Sequence, residues 1–305
     1  MTKKRSHKIR KVLMLILLAC ILFVFWQMLS HGTPPGDAEL RSRPHRLTVL
    51  TWNTARMGNF AKPAKNEVLR FLAQQDADVV CLQEVDVYKD AHFLTLQEVK
   101  QVLGAKYPYS YLDFAVYDKR HQFGTMIWSR YPLINKHTIH YQTRGNMSNC
   151  CDVVVETDTI RLFNNHLESY YFTPEDLADV DTLRNYQGLR ESARRVEEKW
   201  KRATPLRNAQ ARTVHDEVKQ SPYPAIVVGD FNAIPLSYTY MILSIGMHDA
   251  FAETSWFRWG ATCEKRGIGM RIDYILCSDP ILPVQCSIGQ TKASDHRPVI
   301  ATLAW

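Results

Sequence analysis

The stretch Ala225 to Asn232, A-I-V-V-G-D-F-N, limits the fold more than any other in the chain. Four small or β-branched apolar residues in succession suit a buried strand. Gly229 then lets the backbone turn sharply or approach a ligand closely. Asp230 and Asn232 follow at the strand's end, two residues apart, so on an extended chain they face the same side. One is an acceptor-only carboxylate, the other an amide that donates and accepts. A hard-oxygen site at the lip of a buried strand suits holding Mg²⁺ or orienting a water. The plain alternative is an Asx turn closing an ordinary strand. It loses ground because polar residues recur in the same setting along the chain.

Leu47 to Asn53 alternates as a strand and ends in an amide. Lys65 to Gln75 has helical spacing through Val68, Leu69 and Leu72. Asp78 to Glu84 reads as a second buried strand, whose terminal carboxylate is costly unless paired or metal-bound. The pattern predicts a helix over Leu94 to Leu103, a short strand over Thr125 to Trp128, and a hairpin of Val153 to Glu156 with Ile160 to His166. Glu168 to Pro205 is polar and reads as a loop, then a helix from about Leu183. Nine Lys or Arg between Leu183 and Arg212 face three Glu. That is either a solvated helix laced with i,i+4 pairs or a basic lip that attracts phosphate or a membrane surface. Tyr238 to Leu243 reads as a short helix. Ser255 to Gly260, S-W-F-R-W-G, is an aromatic loop that lines a pocket or fills core. Arg271 to Leu276 is a strand with Asp273 in its middle, and Ser294 to Pro298 leads into a last strand, Val299 to Leu303.

The chain's 305 residues allow one large domain or two small ones. Six of the positive charges lie before residue 12, so the formal +7 leaves the remainder about neutral, and global charge gives no case for a nucleic-acid binder. Residues 1–11 read as a basic cytoplasmic tail. Residues 12–29 are an apolar run broken only by Gln27, just long enough to cross a bilayer at ~1.5 Å per residue. The basic flank places the C-terminal bulk outside, and Trp26 suits an interfacial anchor. A cleaved signal peptide and a lipoprotein signal at Cys20 are the rivals. The run is long for the first, and Ile21 to Trp26 stays apolar where the second turns polar. Residues 30–46, with Pro34, Pro35, Gly36 and Pro44, read as a linker, and the folded domain is expected over 47–305. Seven cysteines include no C-x-x-C pair, which argues against a structural zinc site. Cys81 reads as a small core residue. Cys277 and Cys286 flank Asp279-Pro280 and could pair in an oxidising compartment.

Six strand ends or strand-flanking loops thus carry polar groups: Asn53, Glu84, His166, Asp230 with Asn232, Asp273, and Asp295 with His296. Carboxylates gathered at one site demand a cation. Two histidines with carboxylates to orient them suit proton transfer near neutral pH. There is no G-x-S-x-G elbow and no G-x-x-x-x-G-K-[ST] loop, and the histidine spacing does not suggest zinc. Metal-assisted hydrolysis of a phosphoester is the chemistry that fits.

T-W-N, L-Q-E, N-H-L, G-D-F-N, R-I-D-Y and S-D-H-R-P stand in the order found in the endonuclease/exonuclease/phosphatase superfamily, which residues 47–305 resemble. The resemblance implies a four-layer α/β sandwich, two mixed β-sheets packed face to face and flanked by helices, here behind an N-terminal transmembrane helix. It implies Mg²⁺, or Mn²⁺ in its place, with Glu84 as the main ligand and Asn53 and Asp295 near the metal. Asp273 would orient His296, which acts on the attacking water or binds phosphoryl oxygens. Asp230 and Asn232 would position nucleophile and phosphate. His166 looks like the second histidine of the DNase I-type branch, which assists the leaving group, with Asp113 or Asp118 as candidate acidic partners. Arg297, Trp256 and Trp259 are candidate substrate-binding residues.

The expected activity is that of a membrane-tethered, monomeric phosphodiesterase or nuclease, locally supported by the basic segment 183–212. The alternative is a phospholipid or inositol-phosphate headgroup hydrolase, favoured by the tether. Against it, R-I-D-Y replaces the C-D-R-I-L type signature of 5-phosphatases, and no sphingomyelinase-specific stretch stands out. H-L-E-S at 166–169 is similar to the tyrosyl-DNA phosphodiesterase branch. A non-catalytic tethered binding module would carry a degraded motif set, and none of the matched positions is lost.

Overall fold

Strand β1 (Arg46–Asn53) shows how the layers arise. Val49 points into one apolar cluster, while its neighbour Leu50 and then Trp52 point into another. Alternate side chains leave a strand on opposite faces, so a strand apolar on both must be covered on both. β2 (Val79–Tyr88) repeats the pattern, with Val79 and Cys81 on one side and Val80 and Leu82 on the other.

The computed structural model describes residues 42–59, 62–171, 186–255, 260–265 and 268–305. After β1 and β2, with helix α1 (Glu67–Gln74) between them, come α2 (Leu96–Gly104), β3 (Tyr109–Tyr117), β4 (His121–Ser129) and β5 (Leu133–His140). Then follow β6 (Met147–Val155), β7 (Asp158–His166), α3 (Tyr186–Lys219), β8 (Ala225–Asp230), α4 (Tyr238–Leu243) and β9 (Met247–Asp249). The chain closes with α5 (Ala250–Thr254), the small hairpin β10 (Cys263–Lys265) and β11 (Ile268–Met270), then β12 (Asp273–Ser278), β13 (Leu282–Ile288) and β14 (Val299–Ala304).

Two six-stranded sheets result, ordered β13-β14-β1-β2-β4-β3 and β5-β6-β7-β8-β12-β9. Both are mixed: β1 runs parallel to β2, and β7 parallel to β8, among antiparallel neighbours. Between the sheets lies a core that includes Val49, Cys81, Ile127, Cys151, Ile226, Val228 and Ile275. Outside the first sheet, Val68, Leu69 and Leu72 of α1 and Val99 and Leu103 of α2 cover Leu50, Val80 and Leu82. Outside the second, Ala211 and Val214 of α3 and Leu243 of α4 cover Phe163, Val227 and Leu276. Three cores separate four layers, helix, sheet, sheet, helix.

Several boundaries differ from the sequence reading for local reasons. α2 starts at Leu96 because Thr95 forms a capping box with Glu98, which satisfies the free amides of the first turn. α3 runs through Pro205. Its exposed flank carries the i,i+4 pairs Arg194–Glu198 at 3.0 Å and Lys201–Glu197 at 2.6 Å, but Arg207 is buried. Arg207 Nη1 donates to Glu168 O at 2.8 Å, and its guanidinium lies 4.2 Å from the Tyr170 ring centroid. The strand expected over Arg271 to Leu276 begins only at Asp273. Cys277 and Cys286 do not pair; both are free thiols, and Cys277 Sγ lies 3.4 Å from Ile281 O. The apolar run 12–29 lies outside the described residues, and no helix among the described residues is long and apolar enough to cross a membrane.

Candidate active site

Strand register builds one half of the site. His166 at the end of β7 pairs with Asp230 at the end of β8, and Asp230 pairs with Asp273 at the start of β12. The first sheet faces this row with Asn53, closing β1, and with Glu84, set in an irregularity of β2 between Leu82 and Val85. Asn53 Nδ2 donates to Glu84 Oε1 at 3.1 Å and to Asp230 Oδ2 at 2.9 Å, so one amide ties the two sheets together. Directly beneath, Gln83 Nε2 donates to Asn164 Oδ1 at 2.6 Å, a second buried bridge between sheets.

His296, from the loop before β14, completes the row. Its Nδ1 bonds Asp273 Oδ2 at 2.9 Å and Oδ1 at 3.1 Å, and its Nε2 lies 3.8 Å from Asp230 Oδ2. Burial opposes the charged ring, but Asp273 and Asp230 outweigh it and hold His296 well above the ordinary imidazole range. Burial and the nearby Asp230 charge push Asp273 up to about 6, against the pull of His296. We read the pair as imidazolium and carboxylate at neutral pH, because two hydrogen-bonded opposite charges favour the charged form of each.

His166 stands at the other end. A backbone carbonyl can only accept, so the 3.2 Å contact with Gly145 O fixes Nδ1 as the donor. Nε2 then turns toward Glu84 Oε1, 3.6 Å away, and is buried without a hydrogen-bond partner among the described residues. Neither candidate acid is its partner. Asp113 accepts from Thr138 Oγ1 at 2.5 Å, and Asp118 from the Arg120 and His121 amides at 2.7 and 2.9 Å.

Left-handed backbone recurs at the rim. Glu84 and Asn232 have φ of 51° and 49°, and Ala55, Arg56, Met57 and Gly58 are successively positive. Such non-glycine conformations cost of order 1–3 kcal/mol each and persist where the surroundings over-determine them. Here Arg56 Nη2 holds Asp86 Oδ2 at 2.7 Å, and Met57 O accepts from Asn66 Nδ2 at 2.9 Å. Asn232 N donates to Asp230 Oδ1 at 2.8 Å, so the Asx turn is present together with the cluster. The Asn232 amide is turned to Leu167 O at 2.9 Å.

The structure therefore brings Asn53, Glu84, His166, Asp230, Asp273 and His296 together. Asp295 is exposed, with a carboxylate oxygen grouped within 4.8 Å of Cys263 Sγ and a His296 ring nitrogen. Arg297 Nη2 extends to Glu264 Oε2 at 2.8 Å. Trp256 and Trp259 lie outside the described residues. Three supporting residues were not anticipated. Ser294 Oγ donates to Asn53 O at 2.9 Å and accepts from His296 N, and Trp52 Nε1 donates to His296 O at 2.9 Å. Both sit inside motifs already read, S-D-H and T-W-N. Thr262 Oγ1 accepts from Ile272 N and Asp273 N at 3.0 and 3.1 Å, and nothing in its local sequence signals that.

The donor set fits a hard divalent cation. Carboxylates of Glu84 and Asp230 meet at the Asn53 amide, ligand atoms of Asp230, Asp273 and His296 lie within 4.8 Å of one another, Glu84 is partly open, and the His166 Nε2 beside it is buried without a hydrogen-bond partner among the described residues. Such oxygen-rich sites suit Mg²⁺ chemistry.

A four-layer sandwich with histidines and carboxylates aligned at its strand ends defines an α/β hydrolytic enzyme of the DNase I-like class. The chain belongs to the endonuclease/exonuclease/phosphatase family, a family of phosphoester hydrolases that generally use divalent metals, whose profile matches residues 50–296. No curated protein matches by sequence. Among solved structures, an endonuclease/exonuclease/phosphatase from Beutenbergia cavernae DSM 12333 is similar at 17% identity and TM-score 0.59, over 85% of this chain and 71% of that one. One from Bacteroides vulgatus aligns at 15% and 0.59, over 85% and 98%. D. rerio TDP2, complexed with single strand DNA product, aligns at 17% and 0.58, over 85% and 99%.

Proposed function

We propose that this protein is a Mg²⁺-dependent phosphodiesterase acting on nucleic acid, tethered to a membrane by residues 12–29 with the domain 47–305 on the extracytoplasmic side. One observation carries the chemistry: two imidazoles stand at opposite ends of a hydrogen-bonded Glu84–Asn53–Asp230 chain. Asp230 takes the proton of the attacking water. His296, kept charged by Asp273, neutralises a phosphoryl oxygen. As water's oxygen bonds to phosphorus and the bond to the leaving oxygen breaks, His166, its Nδ1–H engaged by Gly145 O, gives the leaving oxygen a proton from Nε2. Mg²⁺, held by Glu84 with Asn53 and Asp295 nearby, would supply Lewis-acid stabilisation of the charge that builds on phosphorus-bound oxygens.

The polarity of β1 favours a substrate other than the tethering bilayer. The linker enters at Arg46 and the site lies at Asn53, so the strand separates them by about 23 Å, seven steps at ~3.3 Å each. The similar fold of a TDP2 that holds single-strand DNA product also favours nucleic acid. One observation favours the second reading, phospholipid headgroup hydrolysis: Ile234, Leu236, Met241 and Ile245, soon after Asn232, are all exposed.

The test is hydrolysis by the full chain in nonionic detergent, on supercoiled plasmid, bis-p-nitrophenyl phosphate and phospholipid mixed micelles, with Mg²⁺ or EDTA. Plasmid nicking lost in EDTA is expected. Asp230→Ala and His296→Ala should each cut turnover at least ~100-fold, the scale of a positioned acid–base or electrostatic group. Headgroup release with intact plasmid would move the protein to the lipid reading. Near-normal turnover in both variants would sink the site.

A further inference from the structure

Strand β5 carries a bulge that sets His137 opposite a buried thiol. Ile134 pairs with Asp152, but the next partners are His137 and Cys150, so Asn135 and Lys136 together oppose Cys151. Without the extra residue, Lys136 would stand across from Cys150. Asn135 absorbs the insertion with a left-handed φ of 48°, and its Nδ2 donates to Asp152 Oδ2 at 2.8 Å. Such backbone is costly outside glycine, and bulges re-aim side chains in this way. Directly opposed residues bring their Cβ atoms to ~4.5–5.5 Å on one face of the sheet. That face is the outer one, where Cys150 packs with Phe163, Ala211 and Val214 beneath α3. Cys151, one step on, points into the core between the sheets.

Helix α3 completes a trio. His137 Nε2 donates to Glu217 Oε2 at 2.7 Å, and ligand atoms of His137, Cys150 and Glu217 all lie within 4.8 Å of one another. Glu217 stands in the last turn of α3, where the helix dipole disfavours an anion, and a cation against it removes that penalty. Cys150 is a free thiol and fully buried, while the side chains of His137 and Glu217 are 46% and 33% exposed, which leaves a path in from solvent. Thiolate, imidazole and carboxylate are the donors of Zn²⁺, whose bonds of ~2.0–2.3 Å place tetrahedral ligands ~3.3–3.7 Å apart. The trio is within about 1 Å of that spacing. Mg²⁺ takes oxygen donors, so chemistry separates this site from the candidate active site. Position does too: Cys150 pairs with Phe163, three residues along β7 from His166, about 10 Å at ~3.3 Å per residue. Sequence spacing conceals the site, because its ligands come from two strands and a helix rather than from one motif.

We propose that His137, Cys150 and Glu217 bind Zn²⁺, with water in the fourth position, and that the ion clips the C-terminal end of α3 to the β5–β6 edge of the sheet. As the ion enters, sulfur bonds the metal and the thiol proton goes to solvent. The His137–Glu217 hydrogen bond gives way to a nitrogen–metal and an oxygen–metal bond, and the neutral imidazole keeps its proton on the other ring nitrogen. The site does not depend on the phosphodiesterase reading. Its test is Co²⁺ titration of the reduced, metal-stripped full chain in nonionic detergent, followed by displacement with Zn²⁺. Co²⁺ should give a thiolate-to-metal charge-transfer band in the near ultraviolet and tetrahedral visible bands, all bleached by Zn²⁺. His137→Ala and Glu217→Gln change exposed side chains, so both should melt near the parent without metal. His137→Ala should weaken Zn²⁺ at least ~100-fold, the most that losing a supporting residue costs, and Glu217→Gln at least ~10-fold. Zn²⁺ should raise the Tm of the parent more than that of His137→Ala. Cys150→Ala should lose the charge-transfer band, and the two surface variants decide the matter if it fails to fold. Cys263→Ala is the control, because Cys263 Sγ also lies within 4.8 Å of ligand atoms of Asp295 and His296, and it should keep the band. A band that is missing in the parent, survives Cys150→Ala or vanishes in Cys263→Ala would overturn the site. So would parent-like Zn²⁺ affinity in both His137→Ala and Glu217→Gln.

Discussion

Arg271 is the residue whose part in the R-I-D-Y motif is structural. Its side chain is almost wholly buried, and Nη1 donates to both oxygens of Asp249 at 3.0 and 2.8 Å. The guanidinium also stacks near Tyr274, 4.8 Å from the ring centroid. The pair fastens the segment before Asp273 to the end of β9, and so helps aim Asp273 at His296. Removing one partner leaves the other charge buried and unpaired, which costs about 3–5 kcal/mol. Arg271→Met should therefore lose stability on that scale in urea unfolding followed by tryptophan fluorescence. Asp249 also caps α5 by accepting from Ala252 N at 3.0 Å. Asparagine can cap as well, so adding Asp249→Asn should return part of the loss. A double variant less stable than Arg271→Met would place the energy in the cap rather than in the charge.

At the scale of elements, Gly229 decides how closely β8 approaches β7. It has φ of +124°, and a Cβ there would lie 2.0 Å from Asn165 O. Gly229→Ala should cost about 3 kcal/mol or more, from overpacking and left-handed strain together, and activity should fall because the His166–Asp230 rung shifts. Gly104, at the end of α2, meets nothing within 4 Å. Gly104→Ala should instead stabilise by roughly 0.5–1 kcal/mol, and equal effects of the two in thermal unfolding would contradict this account. The sequence reveals β8 and β1 because each is apolar on both faces and stops at a polar residue, so the stop marks the site; β7 likewise ends in His166, whereas β2 carries Glu84 at an irregularity and runs on to Tyr88, which the sequence does not announce. β3 and β5 are much less legible. β3 has no fully buried residue and β5 buries only Leu133, so neither carries a clear period. Arg297 points to Glu264, which is distant in sequence, and His166 is oriented by a carbonyl, which no residue type announces. Both outcomes depend on tertiary placement that local pattern does not encode.

Across the whole molecule, the candidate site is a seam. Asn53 and Glu84 belong to one sheet, and His166, Asp230 and Asp273 to the other, while Gln83 and Asn164 bridge the sheets directly below. A cation held there neutralises carboxylates that repel across the interface, so its binding free energy adds to the cohesion of the sandwich. Binding to the folded state alone contributes about 2.7 kcal/mol at a hundredfold excess over Kd, which for a domain of this size raises Tm by about 5–10 °C. Thermal unfolding of the full chain with saturating Mg²⁺ should exceed that in EDTA by this margin. Glu84→Gln keeps the side chain's size and its bond to Asn53 but removes the charge, and should erase most of the rise. A rise undiminished in Glu84→Gln would move the metal to other oxygens of the row. No rise in the parent chain would detach the cation from the function proposed, because Glu84 and Asp230, joined through one amide, would then balance their charge through protonation and through His296 alone.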